Sequence, residues 1–299
     1  MPTLKEMQIN GHKIVAAEFN EHMDHIPVIF IHGITGSINF WEPLQVPMIK
    51  DEFHWYSLSL PGHYPATLPP HFQIKDMTSE MLGQVLIKAI KELMGDQPYV
   101  LAGHSTGGFA ALLLAANFPE NIAGVISIAG FTQGRWNGTL GLLQFFARAG
   151  MVGRAIFRSN LKILAGSRFI YRIAAGFYAK DRRSLYGYPG FESILEIVHQ
   201  DSKGLNPDFL TPYFNRLPNI DIRDSLAKIA VPTLVLAGKN DPIVPHQQST
   251  LIAENVPNSE LYLIDGCGHL PMFEKPAEYN RIITEWIEKI ASLKDGRDE

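Results

Sequence analysis

Along most of its 299 residues the chain alternates short β-branched or apolar runs with longer helical ones. Val28–Ile31 is apolar throughout and ends in His32-Gly33, the pattern of a strand covered on both faces. Trp55–Leu60, Tyr99–Ala102, Ile122–Ile128, Thr233–Ala237 and Leu261–Ile264 read as further strands. Between them, Met77–Leu93 carries Met81, Val85 and Ile90 at helical spacing, and Phe109–Asn117 is rich in Ala and Leu. Pro276–Leu293 opens on proline and places Tyr279, Ile283, Trp286, Ile287 and Ile290 on one face, a terminal amphipathic helix. Met7–Ile9 and Lys13–Phe19, split by Asn10-Gly11, read as an opening hairpin. Parallel strands need crossovers long enough to hold a helix, so this alternation predicts an α/β fold: a mostly parallel central sheet flanked by helices.

The alternation lapses between Phe131 and Arg216, where strand-like runs are scarce and aromatic residues are scattered throughout. This predicts a helical insertion over residues 131–215, with a core domain assembled from residues 1–130 and 216–299. The insertion carries 11 Lys+Arg against 5 Asp+Glu, a balance of +6, while the remaining residues carry 15 against 25, a balance of −10. Arg154, Arg158 and Lys162 recur every four residues, along one side of a helix. Such a row either meets an anionic lipid surface or acidic substrate, or is a solvated face. The aromatic residues, among them Phe145, Phe157, Phe169, Phe177, Tyr178, Phe191, Tyr213 and Phe214, either line an apolar tunnel or form the insertion's own small core.

Composition excludes several classes. The net charge of −4 argues against a nucleic-acid partner. A single cysteine excludes an internal disulfide framework and a thiolate zinc cluster. The polar opening Met1–Met7 has no basic segment followed by an apolar one, so the expectation is a cytoplasmic protein. Gln97–Pro119 contains no Asp, Glu, Lys or Arg, but Pro98, His104, Ser105 and three glycines break it into a strand, a tight turn and a buried helix rather than a membrane span. Lys294–Glu299 reads as a polar tail.

The chemistry concentrates at the ends of strands. Gly103-His104-Ser105-Thr106-Gly107 fits G-x-S-x-G, a weak pattern alone but here set between a strand and a helix. A nucleophile on so sharp a turn has strained backbone angles and needs small neighbours, and the helix that follows favours developing negative charge. A serine hydroxyl needs a base, and the base needs an acid to fix its tautomer. Of eleven histidines, His269 stands just after the last strand, in Gly266-Cys267-Gly268-His269-Leu270-Pro271. Asp241 stands just after Thr233–Ala237, in Gly238-Lys239-Asn240-Asp241-Pro242. Ser105, Asp241 and His269 thus each follow a strand, in the order Ser, Asp, His. His32-Gly33-Ile34-Thr35-Gly36-Ser37 follows the strand Val28–Ile31, so the backbone N–H groups of Ile34 and Thr106 are candidates to bind one oxyanion. His32 reads as an anchor of that loop, and Cys267 as a buried thiol without a catalytic role.

Together these pieces resemble the α/β hydrolases, of the single-chain type with a helical cap. The residues that carry the likeness are His32-Gly33 with Gly36-Ser37, Trp41, Leu60-Pro61-Gly62-His63, Gly103–Gly108, Asp241–Pro245, and Gly266–Pro271 with Glu274 and Pro276. They span nearly the whole chain. The resemblance implies Ser105 as nucleophile, His269 as base, Asp241 as its orienting acid, and Ile34 and Thr106 as oxyanion donors, with no cofactor and no metal. The expected activity is esterase- or lipase-like hydrolysis of a carboxylic ester or thioester with a hydrophobic acyl group. Hydrolysis of a carbon–carbon bond, and a ligand receptor that keeps the triad, are the alternatives. The expected partner is a small-molecule ester or acyl substrate, with weak membrane-surface association through the basic cap.

Overall fold

The computed structural model describes residues 2–295. Of the expected polar tail Lys294–Glu299, residues 296–299 lie outside the described residues. In chain order the strands and helices are β1 (Thr3–Ile9), β2 (His12–Phe19), β3 (Val28–Ile31), α1 (Pro47–Glu52), β4 (Trp55–Leu58), α2 (Ser79–Met94), β5 (Tyr99–His104), α3 (Thr106–Asn117) and β6 (Ile122–Ile128). Six helices follow: α4 (Gly138–Arg148), α5 (Gly150–Gly166), α6 (Arg168–Ala175), α7 (Arg182–Gly187), α8 (Phe191–Lys203) and α9 (Pro207–Arg216). The chain then continues with β7 (Thr233–Gly238), α10 (Gln247–Asn255), β8 (Ser259–Ile264), α11 (Pro271–Glu274) and α12 (Pro276–Asp295).

The eight strands form one sheet in the order β1-β2-β4-β3-β5-β6-β7-β8. β1, β2 and β4 pair antiparallel, and every pairing from β4 through β3 to β8 is parallel. Side chains along a strand point alternately to its two faces, and the apolar runs are divided accordingly. Ile29 and Ile31 of β3, Leu101 of β5 and Val235 of β7 join one apolar cluster, with α2 and α3. Val28 and Phe30, Val100 and Ala102, and Leu234 and Leu236 join a second cluster, with Trp286, Ile287 and Ile290 of α12. A sheet buried on both faces is why these strands read as continuous apolar runs.

Register places the functional loops together. Ile31 is level with Gly103, His104 with Ile128, Ile128 with Leu236, and Gly238 with Ile264. The loops that begin at His32, Ser105, Lys239 and Asp265 therefore leave the sheet at one edge, the carboxyl ends of the parallel strands, where open α/β sheets place their sites.

The structure adjusts several element ends. α3 begins at Thr106 rather than at Phe109, although Gly107 and Gly108 are poor helix formers. Packing explains this: a Cβ on Gly107 would stand 2.0 Å from the carbonyl oxygen of Ile31, so only glycine lets the first helical turn lie against β3. β4 stops at Leu58, before Pro61. Ser59 continues the link to β2, its N–H donating to Val15 O at 2.9 Å and its Oγ accepting from Val15 N at 2.9 Å. β8 starts at Ser259 and is only half-buried, as an edge strand is.

Candidate active site

Ser105 sits between β5 and α3 with φ 54° and ψ −113°, a left-handed conformation that costs a non-glycine residue strain. Its N–H donates to Ile128 O at 2.8 Å and its carbonyl accepts the N–H of Phe109 at 2.9 Å, so strand and helix hold the turn from both sides. The hydroxyl is buried and has no hydrogen-bond partner among the described residues. That leaves Oγ free for a base or substrate; such catalytic hydrogen bonds often close only around the substrate.

Asp241 Oδ1 accepts the N–H groups of Ile243 at 2.7 Å and Val244 at 2.9 Å, which fixes the carboxylate on its loop. Its Oδ2 accepts from His269 Nδ1 at 2.6 Å. Both side chains are essentially sealed from solvent, at 1% and 0% exposure for the histidine and the aspartate. A buried carboxylate on Nδ1 holds the proton there and leaves Nε2 as the acceptor.

The loop after β3 brings Ile34 to the wall of the same cavity as Ser105 and His269, and Thr106 opens the helix directly after Ser105. Thr106 itself does not line that cavity. The approach of the Ile34 loop depends on Gly33, whose Cβ would stand 3.3 Å from Ser105 Cβ. Sequence order thus places five candidates, Ser105, Asp241, His269, Ile34 and Thr106, and the strand register brings their loops to one edge.

Two residues in supporting positions were not assigned a role from sequence. Glu274 is buried, and its carboxylate accepts the N–H groups of Lys180 and Asp181 at 2.8 Å each, Gly268 at 3.0 Å, and Leu270 at 3.3 Å. Burial raises its pKa, and these amides act against that rise. One carboxylate therefore ties both neighbours of His269 to the segment between α6 and α7, where Tyr178 O accepts the His269 N–H at 2.9 Å. The signal in the sequence was an acid five residues after His269, following an apolar run; its burial was not readable. Asp201 on α8 is the other tie: its Oδ2 accepts from Ser37 Oγ and, at 2.9 Å, from Asn39 Nδ2, beyond the Ile34 loop. Replacing Glu274 with Gln would leave an NH₂ group facing amide donors. Glu274→Gln is expected to cost about 1–3 kcal/mol, read as a lower urea midpoint at unchanged m-value.

The neighbouring histidines are structural. His32 Nδ1 donates to Gly33 O at 2.8 Å while Nε2 accepts the Leu60 N–H at 3.2 Å, and burial lowers its pKa to about 4. His104 Nε2 donates to His269 O at 2.8 Å, and burial, followed by the nearby His269, lowers its pKa to about 3. A histidine with a depressed folded pKa stabilises the fold fully above about pH 6.5, and that stability is lost as pH falls toward the folded value. Stability should therefore fall by about 2 kcal/mol for each of these two histidines between pH 7 and pH 5, read by urea unfolding at both values. A His104→Gln variant should show a shallower fall. Burial, reinforced by the Glu274 and Asp241 carboxylates, pushes the Cys267 thiol well up, so it is not a thiolate nucleophile.

Ser105 and His269 open into a cavity of about 170 Å³ between the sheet edge and helices α4 to α9. Leu140, Leu143, Leu161, Leu164, Leu195, Leu205 and Leu210 supply much of its wall, and among the described residues no Asp, Glu, Lys or Arg lines it. Of the aromatic residues between 131 and 215 singled out from sequence, only Tyr178 and Phe191 reach it; Phe40, Tyr171 and Phe273 join them, so the wall is mostly aliphatic with aromatic rings set into it. Phe157, Tyr213 and Phe214 are fully buried, with Phe157 and Trp136 packed on Phe214 at 4.9 and 5.4 Å between ring centres, while Phe145, Phe169 and Phe177 face solvent. Among the described residues no group of three His, Cys, Asp or Glu is placed to hold a metal ion, and no helix is long and apolar enough to cross a membrane.

The family model described as alpha/beta hydrolase fold matches residues 26–276. Among curated relatives, the protein named "Putative carbamate hydrolase RutD" from Pseudomonas savastanoi pv. phaseolicola is 24% identical over 277 residues, covering 89% of this chain and 95% of that protein. Its namesake from Pantoea ananatis is 25% identical, covering 92% and 93%. Among solved structures, a thermophilic esterase from Thermogutta terrifontis superposes with a TM-score of 0.73 at 21% identity, covering 97% of this chain and 99% of that one. The enol-lactonase from Burkholderia xenovorans LB400 superposes at 0.74 with 15% identity, covering 95% and 100%. The structural likenesses establish the fold, and the family match extends from before β3 to the first residue of α12, taking in every loop of the candidate site: this chain belongs to the α/β-hydrolase family.

Proposed function

We propose that this hydrolase cleaves a carboxylic ester or thioester with an apolar acyl group, through an acyl-enzyme on Ser105. The observation that carries the reading is the position of Ser105 and His269, the latter paired to the buried Asp241, on a leucine-walled cavity without a charged side chain. In this reading residues 131–215 form the cap that shapes the acyl pocket. Ser105 Oγ attacks the acyl carbonyl as His269 Nε2 takes its proton. The carbonyl oxygen becomes an oxyanion that accepts hydrogen bonds from the Ile34 and Thr106 N–H groups. Its collapse expels the alcohol or thiol, which takes the proton back from His269. A water then gives its proton to His269 and attacks the acyl-enzyme, and the released Ser105 oxygen recovers that proton.

The relatives named for carbamate hydrolysis and the neighbour described as a meta-cleavage product hydrolase attach other carbonyl chemistries to related chains. The apolar wall favours an acyl chain over a small polar substrate, because each CH₂ transferred from water is worth about 0.8 kcal/mol, close to a fourfold gain in binding. kcat/KM for p-nitrophenyl esters is therefore expected to rise from acetate through butyrate to hexanoate and then level off as the cavity fills. Leu161→Ala and Leu164→Ala should flatten the rise while leaving acetate turnover nearly intact. A flat or falling series in the wild type would overturn the apolar-acyl assignment, and no turnover of any ester by a folded protein would favour a receptor.

A further inference from the structure

The outer surface of the helical insertion is unlike the rest of the molecule. Of the fourteen large hydrophobic side chains exposed among the described residues, eleven lie between residues 131 and 215. They concentrate on α5 and α6. Val152, Ile156 and Ile163 recur along one side of α5, exposed by 73%, 39% and 54%. On α6, Phe169 and Ile173 are 72% and 43% exposed, and Phe177 continues their four-residue spacing just past the helix end. The inner side of the same two helices is also apolar: Leu161, Leu164, Tyr171 and Ala174 line the cavity over Ser105. α6 is therefore a short helix with apolar residues on both sides, one on the pocket and the other without a protein partner.

Charge accompanies this surface. Residues 148–183 carry nine Lys+Arg and one Asp, a balance of +8, which leaves −12 for the rest of a chain whose net charge is −4. By helical geometry Arg154 lies on the side of α5 opposite Val152 and Ile163 and Arg158 well round from them, while Lys162 flanks that apolar row. The acids that face these cations from neighbouring helices are Asp208 of α9, 2.6 Å from Arg158, and Glu192 and Glu196 of α8, which hold Arg168 and Arg172. Arg148, Arg154, Lys162 and Arg183 have no ion-pair partner among the described residues, and Arg182 stacks over the exposed Phe177 ring at 5.1 Å.

We propose that the outer face of α5 and α6 docks on an anionic lipid bilayer, with Val152, Ile163, Phe169, Ile173 and Phe177 entering the headgroup boundary and the flanking Lys162 and Arg182 meeting the headgroups. Exposed apolar side chains bordered by Lys and Arg are the composition of an interfacial helix. The opposite charges of this face and the remaining molecule orient it toward a negative surface. The same charges disfavour a second copy as the occupant, since a two-fold contact would set one net-positive face against another. Docking stands independently of the reaction; that a bilayer-resident acyl chain then passes between α5 and α6 to Ser105 rests on the acyl-hydrolase reading.

The test is co-sedimentation with vesicles of phosphatidylcholine alone or mixed with phosphatidylglycerol, using Ser105→Ala protein so that no lipid is consumed and the outcome does not depend on the reaction. The expected result is binding to the mixed vesicles that weakens as salt is raised, and little binding to phosphatidylcholine alone. Lys162→Gln and Arg182→Gln should each weaken binding roughly fivefold. Phe169→Ser with Ile173→Ser should weaken it by about tenfold or more, with an unchanged unfolding midpoint. The proposal is overturned by equal binding to both vesicles, by no binding to either, or by full binding of the Phe169→Ser/Ile173→Ser protein. It is also overturned if sedimentation velocity shows a dimer that this double variant dissociates, which would make the face a contact between copies.

Discussion

Ser105→Ala is expected to lose ester turnover by about a millionfold in kcat, together with all labelling by a fluorophosphonate, while folding as the wild type does. The size of the loss follows from the proposed roles: without Oγ no acyl-enzyme forms, and His269 has no nucleophile to activate. The fold should not suffer, because that hydroxyl makes no hydrogen bond whose loss would leave a buried partner exposed to desolvation. What remains, about a thousandfold over the uncatalysed rate, would come from the oxyanion donors and from binding. The measurements are single-turnover kinetics and gel-based labelling. Wild-type turnover in a folded Ser105→Ala protein would end the mechanism; Cys267, buried with its pKa raised, and His32 and His104, held in hydrogen bonds, do not stand in for Ser105.

Asp241→Asn is the second large effect, a loss of kcat on the order of ten thousandfold near neutral pH. The asparagine fills the same space but turns an NH₂ or a weaker oxygen toward His269 Nδ1. The imidazole then either flips its tautomer, placing a hydrogen on Nε2 where the Ser105 proton must go, or forms its cation without a compensating charge. Among the described residues no other acid pairs with His269. Glu274, the other buried carboxylate of the site, accepts from four backbone amides around the His269 loop. A loss of only a few-fold would mean that a different carboxylate orients His269. Urea unfolding separates this from a local unfolding: tautomer disruption should leave the unfolding free energy within about 1 kcal/mol of the wild type, because an asparagine oxygen can keep the two Oδ1 hydrogen bonds.

The proposed chemistry is economical in its use of the chain. The reacting groups come from loops at the ends of β5, β7 and β8, and the walls come from a segment that adds no strand to the sheet. Glu274 and Asp201 join the two, so the ordering of His269 and of the Ile34 loop depends on helices that take no part in the proton transfers.

Local patterns carried much of this. Apolar runs of four to seven residues had to be buried strands, since nothing else hides such a run on both sides; Gly-x-Ser-x-Gly between a strand and a helix had to be a tight turn. Ser, Asp and His, each just past a strand, could be paired because parallel strands deliver their carboxyl ends to one edge. These are inferences over a few residues, where covalent geometry and burial leave few choices. Other features depended on residues far apart in the chain. Gly107 starts α3 early only because Ile31 lies against it. Glu274 matters only because Lys180 and Asp181, more than ninety residues earlier, present their amides to it. The span 131–215 reads as helical and basic, and α4 to α9 occupy most of it, yet a helical segment of mixed apolar residues does not announce which of them face inward. Leucines took most of the pocket wall, with Tyr178 and Phe191 among them, while Phe157, Tyr213 and Phe214 joined the apolar cluster that also holds Ile29 and Leu101, Tyr213 packing on His63, and Phe169 and Phe177 went to the outer surface. Helix periodicity assigns residues to sides, but which side meets the pocket and which meets solvent is settled by how the six helices pack on the sheet edge and on one another.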